Sequence, residues 1–380
     1  MIKYFDMFSG IGGFRAGFER AGGFECVGHC ENDKYADASY RAVHNIEESE
    51  VYCNDARTIN TETLPDFDLL CAGFPCQSFS IAGKRGGFFD PRGTLFFEIA
   101  RVAGEKRPAY LLLENVPGLL SHDKGRTFAI VLDTLCELGY RCEWQVLDSQ
   151  DFGVPQSRRR VYIVGYFDSR CAGEILPVRK ADAKALTQSA GGHRSGRIRG
   201  GVKRCFVDLS AENARVTTRA RCITARYTRG IGNRKAESSG VLLIREATKL
   251  GYAFARCGDG VKLDFPNSYV KHTRVGKKIA HTLNTGASQG VVTAYGRIRK
   301  LTPRECFRLQ GFDEKRIDRL PAALSDAQLY KQAGNAVTVN VIHALGLRLK
   351  AAHERLLCEK PPQSSGIRTS EHDRVERNET

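Results

Sequence analysis

Residues 1 to 167 repeat one pattern, a short apolar run followed by a stretch with helical spacing, and this restricts the fold more than any other feature of the chain. IKYFDMF, FECVGH, VYC, FDLLCA, AYLLLE, YRCEWQVLD and RRVYIVGYF read as strands. Between them GGFRAGFERA, DKYADASYRAV, GTLFFEIARVAG and RTFAIVLDTLCELG read as amphipathic helices. Such alternation predicts an α/β fold built on a doubly wound, mostly parallel sheet. Ligands on sheets of this kind bind beyond the carboxyl ends of the strands, so functional residues are expected just after them.

The pattern stops near Phe167, and the charge changes there. Residues 168 to 300 carry 27 Lys+Arg against 9 Asp+Glu, a net +18, whereas the rest of the chain sums to −3. The basic residues are interleaved with Gly, Ser and Thr, as in GGHRSGRIRGG and TTRARCITARYTRGIGNRK. A short charge run is usually a solvated surface. An excess spread over a domain-sized stretch instead predicts a separate module for a polyanion, with nucleic acid favoured.

After the basic segment, LTPRECFRLQGF has the start signal of a helix in Thr302, Pro303 and Glu305. A Gly-Asn turn at 334 and 335 is expected before VTVNVIHALGLRLKAAHERLL, whose spacing is helical. The expected organisation is therefore a doubly wound α/β domain over 1–167, a basic polyanion-binding domain over 168–300, a return segment and last helix over 301–358 completing the first domain, and a mobile polar tail over 359–380.

At 42% hydrophobic and 27% charged residues the chain can bury a core, which excludes disorder for most of its 380 residues. No apolar run approaches the roughly 18 residues of a membrane span, and the first ten residues lack a signal peptide's apolar stretch. An intracellular, cytoplasmic protein is expected. The thirteen cysteines are scattered and odd in number, so reduced thiols are expected. Cys26, His29, Cys30 and His44 fit no zinc spacing well, and no metal is expected.

Two candidate sites follow from the strand ends. In the first, Asp6-Met7-Phe8-Ser9-Gly10-Ile11-Gly12-Gly13 links the first strand to the first helix, where glycines permit a tight turn and close backbone approach. Arg15 stands where a dinucleotide fingerprint needs its third glycine, which favours a cofactor without a pyrophosphate. Glu31, after the second strand, has the position of an acid that binds ribose hydroxyls, and Asp55, after the third, could serve an adenine amino group.

In the second, Gly73-Phe74-Pro75-Cys76-Gln77 follows FDLLCA and opens a Gly-rich loop, a plausible setting for a cysteine nucleophile. Glu114 and Asn115 end the next strand, bringing a carboxyl and an amide to the same sheet edge. Farther on, alternation in Gln156-Ser157-Arg158-Arg159-Arg160 puts Arg158 and Arg160 on one face, where they would lower a thiol's pKa and bind phosphate or a carbonyl oxygen.

The ordered blocks DMFSGIGGFR, GFPCQSFS, ENV, QSRRR, RECFRLQGF and QAGNAV resemble those of the bacterial cytosine-5 DNA methyltransferases, from about residue 4 to 345. The resemblance implies a Rossmann-like fold, S-adenosyl-L-methionine as cofactor, and duplex DNA as partner of a loop-rich recognition domain. It also implies that Cys76 adds to carbon 6 of a flipped-out cytosine, Glu114 protonates N3, Arg160 holds the base oxygen or a phosphate with Arg158 in support, and Asn115 helps place the loop. Cofactor positions carry over to Phe8, Gly10, Gly12, Glu31, Asp55 and Pro75, with Asn335 and Val337 closing over the methionine end. Gln77, beside the nucleophile, is a candidate to contact the space the base vacates, and Arg219, Arg221, Arg226 and Arg229 are candidates for reading DNA. A monomer is implied, with a cognate restriction endonuclease acting on the same site without a stable complex. The alternatives are methylation of RNA by the same chemistry, or a catalytically inactive DNA-binding protein of the same fold.

Overall fold

The computed structural model describes residues 1–46, 50–74, 95–168, 173–178, 206–208, 215–217, 242–245, 252–263, 274–286, 288–293 and 298–358. The first strand, β1 (Ile2–Met7), leads into helix α1 (Gly13–Ala21). Then come β2 (Phe24–Cys30), α2 (Lys34–His44), β3 (Val51–Cys53) and β4 (Leu69–Gly73). After α3 (Leu95–Lys106) follow β5 (Tyr110–Asn115), α4 (Arg126–Glu137), β6 (Arg141–Asp148) and β7 (Arg159–Tyr166).

These strands form one seven-stranded sheet in the order β3-β2-β1-β4-β5-β7-β6. β1 to β5 are mutually parallel, and β7 enters antiparallel between β5 and β6. The strand order reverses between β1 and β4, the place where a doubly wound sheet opens a crevice at its carboxyl edge. Every residue of β5 is buried, as expected of a strand covered on both faces.

Alternation sorts the sheet's side chains into two cores. Tyr4, Leu69, Leu112 and Val164 face one way and pack with Phe14 and Phe18 of α1. Phe5, Leu70, Leu111 and Ile163 face the other way, against Phe96 and Ile99 of α3 and Val131 and Leu135 of α4. Burying each such side chain contributes about 1.5–3 kcal/mol.

Between β7 and residue 300 the described residues form short antiparallel ladders. β8 (Phe206–Asp208) pairs with β9 (Arg215–Thr217), and β10 (Leu242–Arg245) with β11 (Tyr252–Ala255). β12 (Gly260–Lys262), β13 (Val275–Gly276), β14 (Gln289–Val292) and β15 (Ile298–Lys300) make a four-stranded sheet.

Helix α5 (Pro303–Leu309) starts in a capping box: Thr302 accepts from the Glu305 N–H, and the Glu305 carboxylate accepts from the Thr302 N–H. Then come α6 (Glu314–Asp318), α7 (Asp326–Asn335) and α8 (Val339–Cys358). One expectation needs correction here. Gly334 and Asn335 are not a turn but the last two residues of α7, and the chain turns over 336–338 instead. Long-range contacts, absent from the local pattern, carry the helix through the glycine. α8 returns to the sheet, where Ile342, Leu345 and Leu349 join the Phe14–Phe18 side of the core.

None of the described helices is long and apolar enough to cross a membrane. The expected tail over 359–380 lies outside the described residues.

Candidate active site

The turn after β1 is held by its own backbone and by the end of β2. Ser9 N–H donates to the Cys30 carbonyl at 3.0 Å, and Gly12 N–H to the Ser9 carbonyl at 2.8 Å. Gly10 N–H donates to Glu31 Oε2 at 2.8 Å, while Glu31 Oε1 accepts from Asp33 N–H at 2.8 Å. Within this turn Phe8 takes φ 55°, a left-handed conformation that costs a non-glycine residue about 1–3 kcal/mol and persists only where its surroundings enforce it. A β-carbon on Gly13 would lie 2.5 Å from the Val337 carbonyl, so only glycine lets the return segment approach the turn this closely.

A cleft of about 750 Å³ opens at the carboxyl ends of β1, β4 and β5. Phe8, Gly10, Glu31, Asp55, Glu114, Asn115, Arg158, Arg160, Asn335 and Val337 all line it. Gly12 is not on its wall; it sits behind the turn, where a β-carbon would collide with the His44 ring. Pro75, Cys76 and Gln77 lie outside the described residues, as do Arg219, Arg221, Arg226 and Arg229.

Glu114 is the centre of the polar wall. It is 8% exposed, and Arg160 Nε lies 2.9 Å from its Oε1. That is an ion-pair distance, yet no N–H points squarely at Oε1, which is left without a directed hydrogen-bond donor. Burial pushes the Glu114 carboxyl's pKa up, and the Arg160 and Arg158 charges pull against that rise. Next to it, Asn115 Nδ2 donates to the Phe74 carbonyl at 2.9 Å, one residue before Pro75, and its Oδ1 accepts from the Val116 N–H.

The two arginines of the wall are used differently. Arg160 faces Glu114, while the Arg158 guanidinium is spent on backbone carbonyls. It donates to Leu283 at 3.0 Å, to Gly334 at 2.8 Å and to Ala336 at 3.1 Å. Burial and the neighbouring Arg160 push its pKa down to about 10, so it stays charged at neutral pH.

Asp55 is also partly engaged. It caps a short 3-10 turn by accepting from Arg57 N–H, and its carboxylate pairs with the Arg57 guanidinium at 2.7 Å. These hydrogen bonds to Arg57 hold its pKa below the usual carboxylate range.

Among residues the sequence did not single out, Gln156 and Gln310 are fully buried and join the two ends of the chain at this wall. Gln156 donates to the Leu309 carbonyl and accepts from Leu283 N–H. Both glutamines stand inside conspicuous blocks, Gln156 in QSRRR and Gln310 in RECFRLQGF, and membership of those blocks was the one signal available. His29 sits between Glu50 and Asp37 and stacks on Tyr40, and no group of three or more metal-binding side chains occurs among the described residues. The nine cysteines among the described residues are unbridged.

Residues 2–351 match the family model for C-5 cytosine-specific DNA methylases. The chain is 36% identical over 356 residues to the type II methyltransferase M.NlaX of Neisseria lactamica, an alignment covering 93% of this chain and 97% of the relative. It is 33% identical to M.HhaI of Haemophilus parahaemolyticus, over 92% of this chain and 94% of that one. In fold it is similar to a prophage-encoded DNA modification methyltransferase from E. coli, with a TM-score of 0.56 at 19% identity over 93% of this chain and all of the other. The cleft at the switch point, the strand-end carboxyl with its paired arginine, and this match along nearly the whole chain converge: the protein belongs to the C-5 cytosine-specific DNA methylase family.

Proposed function

We propose that the cleft methylates carbon 5 of cytosine in duplex DNA through a covalent cysteine adduct, with the basic segment 168–300 recognising the target sequence. The observation that carries this reading is Glu114: a buried carboxyl of raised pKa, with one oxygen undirected, beside Arg160 and one strand from the segment leading to Cys76.

The residues fit S-adenosylmethionine. Glu31 keeps lone pairs for a ribose diol after its two backbone bonds, space is open around Gly10, and the buried Ser9 hydroxyl is without a partner. Phe8, Glu31 and Asp55 would hold the adenosine, with Pro75, Asn335 and Val337 around the methionine end. Asp55, both of whose carboxylate oxygens accept from Arg57, would serve the adenine by exchanging one of those bonds. When bound, the cofactor supplies an electrophilic methyl group on its sulfonium. No metal is required.

Carbon 5 of cytosine is a poor nucleophile. Addition of the Cys76 thiolate to carbon 6 forms a carbon–sulfur bond and pushes the ring's electrons toward carbon 5 and N3. Glu114, whose proton affinity burial raises, hydrogen-bonds to N3 and protonates it as that charge develops. Arg160 holds the base oxygen and the resulting carboxylate. Arg158, whose two terminal nitrogens go to carbonyls while its buried Nε has no partner, positions the wall in support of Arg160. After methylation the proton on carbon 5 leaves to a base, the electron pair re-forms the ring double bond, and the thiolate departs.

Reaching carbon 5 requires flipping the base out of the stack, at a few kcal/mol offset by phosphate contacts. The reading includes a monomer acting on DNA in the bacterial cytoplasm. It also includes a restriction endonuclease that cuts the same site without forming a stable complex.

Bisulfite sequencing of DNA treated with the purified protein would give the modified atom and its sequence context. DNA containing 5-fluorocytosine should trap a stable adduct, because the fluorine cannot leave as a proton does. Cys76→Ser should abolish both methylation and trapping while cofactor binding persists. Full activity of that variant would rule out the cysteine mechanism.

A further inference from the structure

The last carbonyls of α7 have no partner within the helix, as at any helix end. Here two buried side chains from other parts of the chain take them. Gln310 Nε2 donates to the Ala333 carbonyl at 2.6 Å and to the Ala336 carbonyl at 3.2 Å, while Arg158 takes Gly334 and shares Ala336. The Gln310 amide cannot flip freely, because the Thr338 hydroxyl donates to its Oε1 at 2.9 Å. Its main chain is used as well: the Gln310 carbonyl accepts from the Val339 N–H, at the start of α8, at 2.9 Å.

One residue with no exposed surface therefore binds the end of α7 with its side chain and the start of α8 with its backbone. Between those anchors lies the 336–338 turn, which carries Val337 and follows Asn335. The same turn abuts the glycine-rich turn after β1, through the Val337 carbonyl at Gly13. Its placement fixes the distance between the two walls of the cleft.

We propose that Gln310 is a positioning residue for the cofactor, which sets the Asn335–Val337 wall without touching the ligand. This rests on the reading of Asn335 and Val337 as cofactor contacts. Loss of the amide lets the wall shift, which weakens cofactor binding, whereas the DNA side of the cleft, built from Glu114 and Arg160 on the sheet, is left in place.

The test is steady-state kinetics of the full chain with S-adenosylmethionine and duplex DNA varied separately. Gln310→Leu should raise the cofactor KM about tenfold, the scale set by an unmade buried hydrogen bond, with the DNA KM and the kcat at saturating cofactor within about twofold. Thr338→Val should act in the same direction and more weakly, at about two- to threefold. Gln310→Glu keeps the acceptor and loses the donors when ionised. Its cofactor KM relative to the wild type should therefore fall as the pH is lowered and the carboxyl regains a proton to donate, a dependence that a space-filling role would not produce.

Asn335→Ala separates the layers of the argument. If it leaves cofactor binding unchanged, the cofactor reading of this wall is wrong. If it weakens binding while Gln310→Leu does not, or if Gln310→Leu raises both KM values alike, the positioning role is overturned. Should Gln310→Leu fail to fold, the Thr338→Val value and the pH series on Gln310→Glu decide between the same outcomes.

Discussion

Two carboxyls on adjacent parts of the sheet, Asp6 and Glu114, are both buried with one oxygen lacking a directed donor, and their surroundings give them different work. Asp6 is fully buried, has the Cys71 thiol 3.7 Å away, and does not line the cleft. Burial pushes its pKa up to about 8, against the pull of Arg15. A carboxyl raised in this way stabilises the fold fully below its unfolded pKa near 4, and that contribution is lost as pH rises toward and through about 8. Asp6→Asn keeps the shape and removes the titration, so the variant should lose less melting temperature than the wild type between pH 6 and pH 9. Parallel melting curves would show that Asp6 is ionised at no cost.

Glu114 opens into the cleft, where burial raises its pKa against the pull of Arg160 and Arg158, the setting of the proposed general acid. Glu114→Gln should lower kcat by about 10²–10⁴-fold, the usual scale of a lost general acid, with cofactor binding intact. Because the folded pKa is raised, the same variant should gain stability relative to the wild type as pH rises through that value. Position at a strand's carboxyl end made Glu114 and Asn115 legible in the sequence, and side-chain alternation into β7 did the same for Arg160, since both rules are local. The destination of the Arg158 guanidinium was not legible: its acceptors at 283, 334 and 336 are more than 120 residues away.

At the scale of elements, features whose partners are all local are legible and those decided by distant residues are not. The Thr302–Glu305 capping box is visible in four residues because every atom of it belongs to those residues. Thr302→Ala should cost about 1 kcal/mol of unfolding free energy in denaturant titrations, with kcat unchanged. A much larger loss would mean that Thr302 does more than cap. Gly334-Asn335 suggested a turn for the same local reason, and the inference failed because the end of α7 is fixed by Gln310 and Arg158 from elsewhere. Strand direction was illegible too: nothing in RRVYIVGYF says that β7 enters antiparallel beside β5. Asp55 is a mixed case. Its position after β3 was read, but its Arg57 partner two residues on turns part of the expected ligand group into a cap.

At the scale of the molecule, the net charge of +15 divides into +18 over residues 168–300 and −3 on everything else. A cleft on a nearly neutral lobe cannot draw duplex DNA by long-range attraction, so association should depend on the basic segment and on salt. Binding to a duplex lacking the target motif should weaken linearly in log K against log salt, by roughly 0.9 per phosphate contacted. Replacing Arg219, Arg221, Arg226 and Arg229 one at a time by Gln sorts them. Loss of a phosphate contact should flatten that slope by about 0.9 and weaken all sequences alike, whereas loss of a base contact should leave the slope and relax the motif at one position, by about 1–3 kcal/mol. Competition binding at several salt concentrations, with the methylated motif read from bisulfite sequencing, measures both. If the fourfold variant keeps the wild-type slope and motif, recognition lies elsewhere in the basic segment or on the sheet lobe, and the charge partition has no functional meaning at these four positions.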